Sequence, residues 1–288
     1  MTPRVATATV VIVSFRTPSL DLSWVPRDAP VIIVHNDTSL AETGVAHSNV
    51  EHIRIAGNVG FGAAVNAALP RVGTQRVVLC NPDLVANAEH WTALTDAADN
   101  EVVAVPLLDG AAEPTSIVNA YPTPSSALLT AYRVGRVLPR GSCARALLTR
   151  CLGGWGREHV ELGTTQGVAL PLATHWASGA MLSVSTQRLR DVGGFDHGYF
   201  LYMEDVDLCR RLARLHPDMS VRIADVPPAM HAVGGSAVTR GERLTVDRHY
   251  LASIRRYVRR QSGLRWRALD VALVPRSLEL ALRARRRG

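Results

Sequence analysis

The chain has 288 residues, enough for one large domain or two small ones around a sizeable core. Its hydrophobic content of 47% and charged content of 20% suit a globular protein and exclude a disordered one. All 32 cationic residues are Arg, and the formal charge of +7 is uneven: residues 255–288 carry eleven Arg against Asp270 and Glu279, so the rest of the chain is net −2. A nucleic-acid binder shows its basic stripe on the folded body, interleaved with aromatics, so no nucleic-acid partner is expected. Cys80, Cys143, Cys151 and Cys209 have no CxxC spacing, which argues against a zinc cluster or redox motif. No signal peptide and no apolar run of transmembrane length is visible, so a reducing cytoplasm and free thiols are expected.

In chain order, Val10–Val13 and Val31–Val34 are short β-branched runs that read as buried strands, and Ile53-Arg54-Ile55 is a weaker third. The irregular stretch from Thr17 to Pro30 leaves room only for a reduced first helix. Gly57 to Leu69 is a Gly-rich turn running into an Ala-rich helix. Val77–Cys80 is a strand that stops at Asn81-Pro82, because Pro82 has no N–H to continue a ladder. Ala88–Ala98 reads as a helix and Val102–Val105 as a strand. Residues 110–172 are punctuated by Pro and Gly, with a helix near Arg145–Cys151. Ala180–Val184 is a strand and Thr186–Val192 a short helix. The Gly193-Gly194 turn and an aromatic loop lead into a helix over Asp205–Leu215, with Leu208, Leu212 and Leu215 at helical spacing. Val221–Ala224 is the last strand, and from Arg240 the chain is Arg-rich and amphipathic. Strands alternating with helices imply a mainly parallel α/β sheet, whose ligand crevice lies beyond the carboxyl ends of the strands.

Four segments carry chemistry, each beside a plainer reading. Asn81-Pro82-Asp83 at a strand end offers a carboxylate for Mg²⁺ or Mn²⁺ on a diphosphate, or is an Asx-Pro turn with a solvated acid. Gly57-Asn58-Val59-Gly60-Phe61-Gly62 permits close backbone approach to a ligand at a helix start, or is simply a tight turn. Its spacing is not the dinucleotide fingerprint, and a P-loop needs a Lys that the chain lacks. Glu204, Asp205 and Asp207 begin a helix beneath an aromatic cluster; they complement the helix dipole, or one of them is a general base. His231 is structural unless the fold carries it to Asp83, where it would complete a metal site. No G-x-S-x-G occurs, so the hydrolase reading lacks its nucleophile elbow.

Taken in order, the segments resemble the family-2 glycosyltransferases of the GT-A fold, most nearly the bacterial rhamnosyltransferase branch acting on lipid-linked diphospho-sugars. The matching residues are Val11-Ile12-Val13-Ser14-Phe15, Val34-His35-Asn36, Asn58-Val59-Gly60-Phe61-Gly62 with Asn66, Asn81-Pro82-Asp83, Ala177-Ser178-Gly179-Ala180, Gly193-Gly194-Phe195-Asp196, Tyr202 to Leu208, and His231 with Ser236. The resemblance implies a Rossmann-like, mainly parallel central sheet flanked by helices, with a basic helical C-terminal extension. Residues 1–240 would form the catalytic domain, about 1–110 binding the nucleotide sugar and 111–240 the acceptor; residues 241–288 would be the Arg-rich segment. Ser14, Phe15, Arg16, Asn36, Asn58, Gly60, Asn66 and Asp83 would line the donor pocket. Asp83, with His231 as second ligand, would hold a divalent cation, Mg²⁺ or Mn²⁺. Gly179, Gly194, Phe195 and Asp196 would shape the sugar and acceptor site. Asp205 would be the catalytic base with Glu204 supporting it, and Asp207 would serve packing and capping. One departure stands out: His35 occupies the place of an Asp that helps bind the nucleotide in the family.

The implied activity is inverting transfer of a sugar, rhamnose or another deoxyhexose, from a dTDP- or UDP-linked donor to a lipid-linked or cell-envelope glycan. A soluble natural-product acceptor and a catalytically silent nucleotide-sugar-binding protein stay open as alternatives. Arg255 to Arg287 alternates Arg with apolar residues, including Leu264, Trp266, Leu269 and Leu273. That pattern suits docking on the anionic inner face of the cell membrane, or a solvated helix packing one face on the domain.

Overall fold

Eight strands build the central sheet of the computed structural model, which describes residues 7–17, 19–37, 42–43, 47–132, 166–231 and 240–285. They are β1 (Ala8–Ser14), β2 (Val31–His35), β3 (Val50–Arg54), β4 (Arg76–Cys80), β5 (Glu101–Ala104), β6 (Ala169–Pro171), β7 (Met181–Ser185) and β8 (Ser220–Ile223). Their spatial order is β6-β8-β5-β7-β4-β1-β2-β3. Every residue of β1, β2, β4 and β7 is buried, which is why Val10–Val13, Val31–Val34 and Val77–Cys80 read as apolar runs; a strand covered on both faces has no solvated side. The edge strand β3 is mostly exposed and its sequence cue is poor. Its span lies earlier than the Ile53–Ile55 expectation because it pairs in parallel with β2 from Val31–Val50 to His35–Arg54.

Most of the sheet is parallel, but β7 runs antiparallel to both neighbours, β4 and β5. That inversion matters for the site. It brings the start of β7 beside the end of β4, Met181 opposite Cys80, and the Asn81 N–H donates to the Ala180 carbonyl at 2.8 Å. A small second sheet of Pro114–Thr115, Leu107–Leu108, Ala229–His231 and Leu84–Val85 places His231 opposite Leu84, next to Asp83.

The helices are α1 (Phe61–Ala68), α2 (Ala88–Thr95), α3 (Pro124–Ala131), α4 (Thr186–Asp191), α5 (Glu204–Leu215), α6 (Arg240–Arg259), α7 (Leu264–Ala272) and α8 (Val274–Arg285). α1 buries Gly62, Ala64, Val65 and Ala68, small residues that let it sit close to β1 and β2. α2 is stopped at its start by a capping box, Asn87 with His90. On α5, Leu208 and Leu212 are buried while Leu215 is exposed, so the inward face is narrower than the sequence spacing suggests. Thr17–Pro30 contains the short strand Ser19–Leu20 and, among its described residues, no helix; Leu22 and Trp24 fill the core there. Cys80 and Cys209 are buried free thiols. Cys143, Ser236 and the helix expected near Arg145–Cys151 lie outside the described residues.

The last three helices form a second core rather than a loose tail. Leu251, Ile254, Tyr257, Leu269 and Leu273 pack with Tyr199, Met203 and Val206, the residues around the start of α5. The C-terminal segment therefore rests on the loop that carries the acidic cluster.

Candidate active site

The first wall of the site is the row of strand ends. Ser14 closes β1 and is fully buried; its hydroxyl has no protein partner among the described residues. Phe15 and Arg16 follow, Arg16 in a left-handed conformation (φ 55°) with its N–H donating to Asp37 at 2.6 Å. The Arg16 guanidinium pairs with Glu242 on α6 at 2.5 Å, so the C-terminal segment reaches this wall as well. Asn36 and Asn58 organise the Gly-rich turn. The Asn36 amide donates to Asn58 Oδ1 at 3.0 Å and accepts the Val59 N–H at 2.9 Å, while Asn58 Oδ1 also accepts the Gly60 N–H at 2.9 Å.

Gly60 needs to be glycine for a reason the sequence did not reveal. Its φ is 88°, and a Cβ there would stand 2.2 Å from the Phe200 carbonyl oxygen. The close approach that sequence reasoning assigns to a ligand is here an approach to the aromatic loop. Gly194 behaves alike: at φ 70°, an added Cβ would fall 2.3 Å from Asn66 Oδ1. The Asn66 amide takes both backbone groups of Phe195, accepting its N–H at 2.8 Å and donating to its carbonyl at 2.7 Å. Phe195 itself is buried edge-on against Phe61. Asn66, Gly194 and Phe195 thus lock α1 to the turn before α5, an arrangement that local spacing does not disclose.

His35 is 1% exposed and its Nε2 lies 2.8 Å from His52 Nδ1. Burial, with His52 and Arg54 adding to it, lowers its pKa, so the imidazole is held neutral. The carboxylate at this strand end comes two residues later, as Asp37, a residue that the sequence places at the crevice but that is not among the expected donor contacts.

Asp83 and His231, distant in sequence, do meet. His231 Nε2 lies 3.1 Å from Asp83 Oδ1 and 3.2 Å from Asn81 Nδ2. The antiparallel pairing of Ala229–His231 with Leu84–Val85 fixes this approach. One carboxylate and one imidazole fit a divalent cation that draws its other ligands from a diphosphate and water. Among the described residues no group of three or more His, Cys, Asp or Glu converges to hold a metal without such help.

The acidic cluster forms the second part of the site. Tyr202 (φ 65°) and Met203 (φ 66°) are consecutive left-handed residues that turn the chain sharply into α5. Each such residue costs about 1–3 kcal/mol and persists only where its surroundings fix it. α6 does so: the Ser253 hydroxyl donates to the Leu201 carbonyl at 2.8 Å, His249 stacks on Phe200 at 4.1 Å, and Tyr250 meets Tyr202 edge-on. Asp205 Oδ1 accepts the Val206 N–H at 2.8 Å, and Oδ2 accepts the Gly179 N–H at 3.3 Å. Since Gly179 immediately precedes Ala180, whose carbonyl holds Asn81, a short chain of backbone contacts joins Asp205 to the Asp83 wall.

Burial raises the pKa of both Glu204 and Asp205, and Asp205 raises Glu204 further by charge repulsion. Glu204 is 7% exposed with Oε2 unpartnered, so it is the one that retains a proton, leaving Asp205 to ionise. Asp207 differs from both. Its carboxylate binds Arg211 at 2.7 Å and Arg260 at 3.1 Å, a role in packing. Asp196 is likewise engaged, by Arg256 at 2.9 Å, Arg260 at 2.5 Å and the Gly198 N–H at 2.8 Å. Burial raises its pKa, but the Gly198 bond and the two guanidiniums outweigh this and hold it below the ordinary carboxylate value. Arg256 and Arg260 belong to the segment that the sequence leaves open to membrane docking or to packing on the domain, and both pair with Asp196.

No family model matches the chain. Over 182 residues it is 30% identical to an N-acetylglucosaminyl-diphospho-decaprenol L-rhamnosyltransferase of Mycobacterium tuberculosis, covering 58% of this chain and 54% of that protein. Over 58 residues it is 43% identical to rhamnosyltransferase WbbL of Escherichia coli K12, 20% of each chain. The chain thus spans about half the length, or less, of these curated relatives. Its fold is similar to that in the crystal structure of GalNAc-T7 with UDP, GalNAc and Mn²⁺, with a TM-score of 0.52, 11% identity, and coverage of 87% of this chain and 47% of that one. The fold is GT-A, and the resemblance to the rhamnosyltransferase branch that the motifs suggest is borne out by these relatives.

Proposed function

We infer that this chain is a glycosyltransferase, and propose that it moves a sugar, rhamnose or a related deoxyhexose, from a nucleoside-diphosphate sugar to a hydroxyl of a lipid-linked or cell-envelope glycan. The observation that carries the reading is the linking of two unlike acidic sites through the Gly179-Ala180 backbone: a half-exposed Asp83 beside His231, and a half-buried Asp205 beside the buried Glu204. Similarity to rhamnosyltransferases supports the choice of sugar, and the diphospho-decaprenol in one relative's name supports a lipid-linked acceptor.

In the proposed mechanism the donor lies across the strand ends, with its nucleotide toward Arg16, Asn36 and Asp37 and its diphosphate at Asp83 and His231. A divalent cation held at that pair, Mg²⁺ or Mn²⁺, would neutralise charge on the departing diphosphate. Asp205, ionised while Glu204 stays protonated, accepts the proton of the acceptor hydroxyl. The hydroxyl oxygen forms the new bond to the anomeric carbon as the bond to the diphosphate oxygen breaks, in a single displacement that inverts the centre. Gly179 fixes the Asp205 carboxylate through its N–H. Asn66, Gly194, Phe195 and Asp196 act by positioning, since each is engaged with neighbouring protein groups.

The test is an incubation of the chain with dTDP- and UDP-sugars, Mn²⁺ or Mg²⁺, and a diphospholipid-linked amino sugar. The expected result is nucleoside diphosphate release matched mole for mole by a glycosylated lipid whose new linkage is inverted at the anomeric carbon. Donor binding without any transfer, across sugars and acceptors, would instead establish the silent binding protein.

A further inference from the structure

We propose that the outer face of α7 and α8 is a docking surface for an anionic lipid bilayer. The two helices are nearly continuous. Leu273 donates to the Leu269 carbonyl at 3.0 Å, and Ser277 donates to the Leu273 carbonyl at 3.1 Å, so helical bonding resumes directly across the joint. Pro275 explains the break there, because it has no N–H to give.

Two stripes run along this rod. The inner one, Trp266, Leu269, Leu273 and Leu280, packs into the second core. The outer one is Leu264 (82% exposed), Val271 (71%), Val274 (39%), Leu278 (59%) and Leu282 (56%). Its spacing is helical throughout if Arg267 is placed between Leu264 and Val271, so these residues share one side. Scattered exposed leucines are ordinary, but an aligned apolar row on a folded surface marks an interaction site. Of the apolar residues that the sequence singles out here, Trp266, Leu269 and Leu273 face the protein and Leu264 faces out.

Charge selects the occupant. Asp270 and Glu279 are the acids of α7 and α8, and each lies between two arginines: Arg255 and Arg259 for Asp270, Arg276 and Arg283 for Glu279. Arg265 and Arg267 make no ion pair among the described residues, and Arg285-Arg286-Arg287 follow in the sequence. An apolar row fringed by cationic groups matches the hydrocarbon edge and phosphates of an anionic leaflet. A second copy would bring the same positive charge against it. No described helix is long and apolar enough to cross a membrane, so the contact is one of lying on the surface.

The proposal concerns seating of the protein and does not require transfer chemistry. It is tested by co-sedimenting the full chain with phosphatidylcholine vesicles, with and without phosphatidylglycerol, in the absence of nucleotide and acceptor. Binding to the anionic vesicles is expected, falling about tenfold for L278E/L282E and for R265A/R267A, with Asp205→Asn binding like the parent. Because the arginine pair sits outside the core, R265A/R267A keeps the test valid if the glutamate variant unfolds, which thermal unfolding reports. No vesicle binding by the parent, binding by both variants equal to the parent's, or a salt-resistant dimer that L278E/L282E dissociates would overturn the proposal.

Discussion

Asp83 and Asp205 are joined through the Gly179-Ala180 backbone, yet the chain builds the two sites by opposite means. Asp83 lies three residues beyond a buried strand in a stretch without positive φ, remains half-exposed, and meets one imidazole. Asp205 begins a helix after two strained residues, lies against a second buried carboxyl, and is underpinned by a helix from the far end of the chain. The first site is open and becomes complete only with ligands from outside. The second is held by two backbone N–H donors before any ligand arrives, and desolvation raises its pKa as a general base requires. Two consecutive left-handed residues, Tyr202 and Met203, precede the site where proton transfer is proposed, whereas the wall where binding is proposed has one, Arg16.

Replacing Asp205 is the sharpest way to separate the sites. Asp205→Asn is expected to lower kcat about a thousandfold, within the range of general-base contributions, while the donor KM stays near that of the parent. The parent itself should lose kcat on acidification, over a range above that of an ordinary Asp because burial raises the Asp205 pKa. A comparable loss in Asp207→Asn without loss of stability would contradict the assignment, since Asp207 is bound to Arg211 and Arg260.

A smaller effect is expected from the buttress. In R256M/R260M, Asp196 loses both guanidinium partners, and the strained turn into α5 loses part of its support. A stability loss of about 2 kcal/mol is expected from broken charge-assisted hydrogen bonds, read by denaturant unfolding. The kcat should fall more than donor affinity, because the turn carries Asp205 and not Asp83.

The smallest effect concerns Glu204. Folded Glu204 keeps its proton above the ordinary carboxylate range, whereas the unfolded chain releases it there. The folded state then binds more protons, so this residue makes the parent less stable as pH rises through that range. Glu204→Gln removes the titration. Its Tm should match the parent's in acid and exceed it by a growing margin toward neutral and alkaline pH. A constant offset across pH would show that Glu204 is not held protonated.

Much of this was legible in the sequence. The strands β1, β2 and β4 announce themselves because buried strands are uninterrupted apolar runs, and α5 because Leu208 and Leu212 recur at helical spacing. The meeting of His231 with Asp83 could be anticipated only as a condition, since it depends on a small sheet formed by strands of two and three residues. The roles of Asn66 and Gly60 were hidden for a related reason. Their partners, Phe195 and Phe200, are far along the chain, and spacing says nothing about such approaches. The tail shows the same limit from another side: its periodicity reveals two stripes, but only packing decides that Leu269 and Leu273 turn inward and Leu278 and Leu282 outward.

The division of labour between the two walls is tested most directly by measuring nucleotide-sugar affinity, in Mn²⁺, for Asp83→Asn and Asp205→Asn side by side. Asp205→Asn should bind within about threefold of the parent, and Asp83→Asn at least about tenfold more weakly, because a carboxylate ligand contributes to the metal–diphosphate contact. Undiminished binding by Asp83→Asn, or loss of binding by a folded Asp205→Asn, would contradict it.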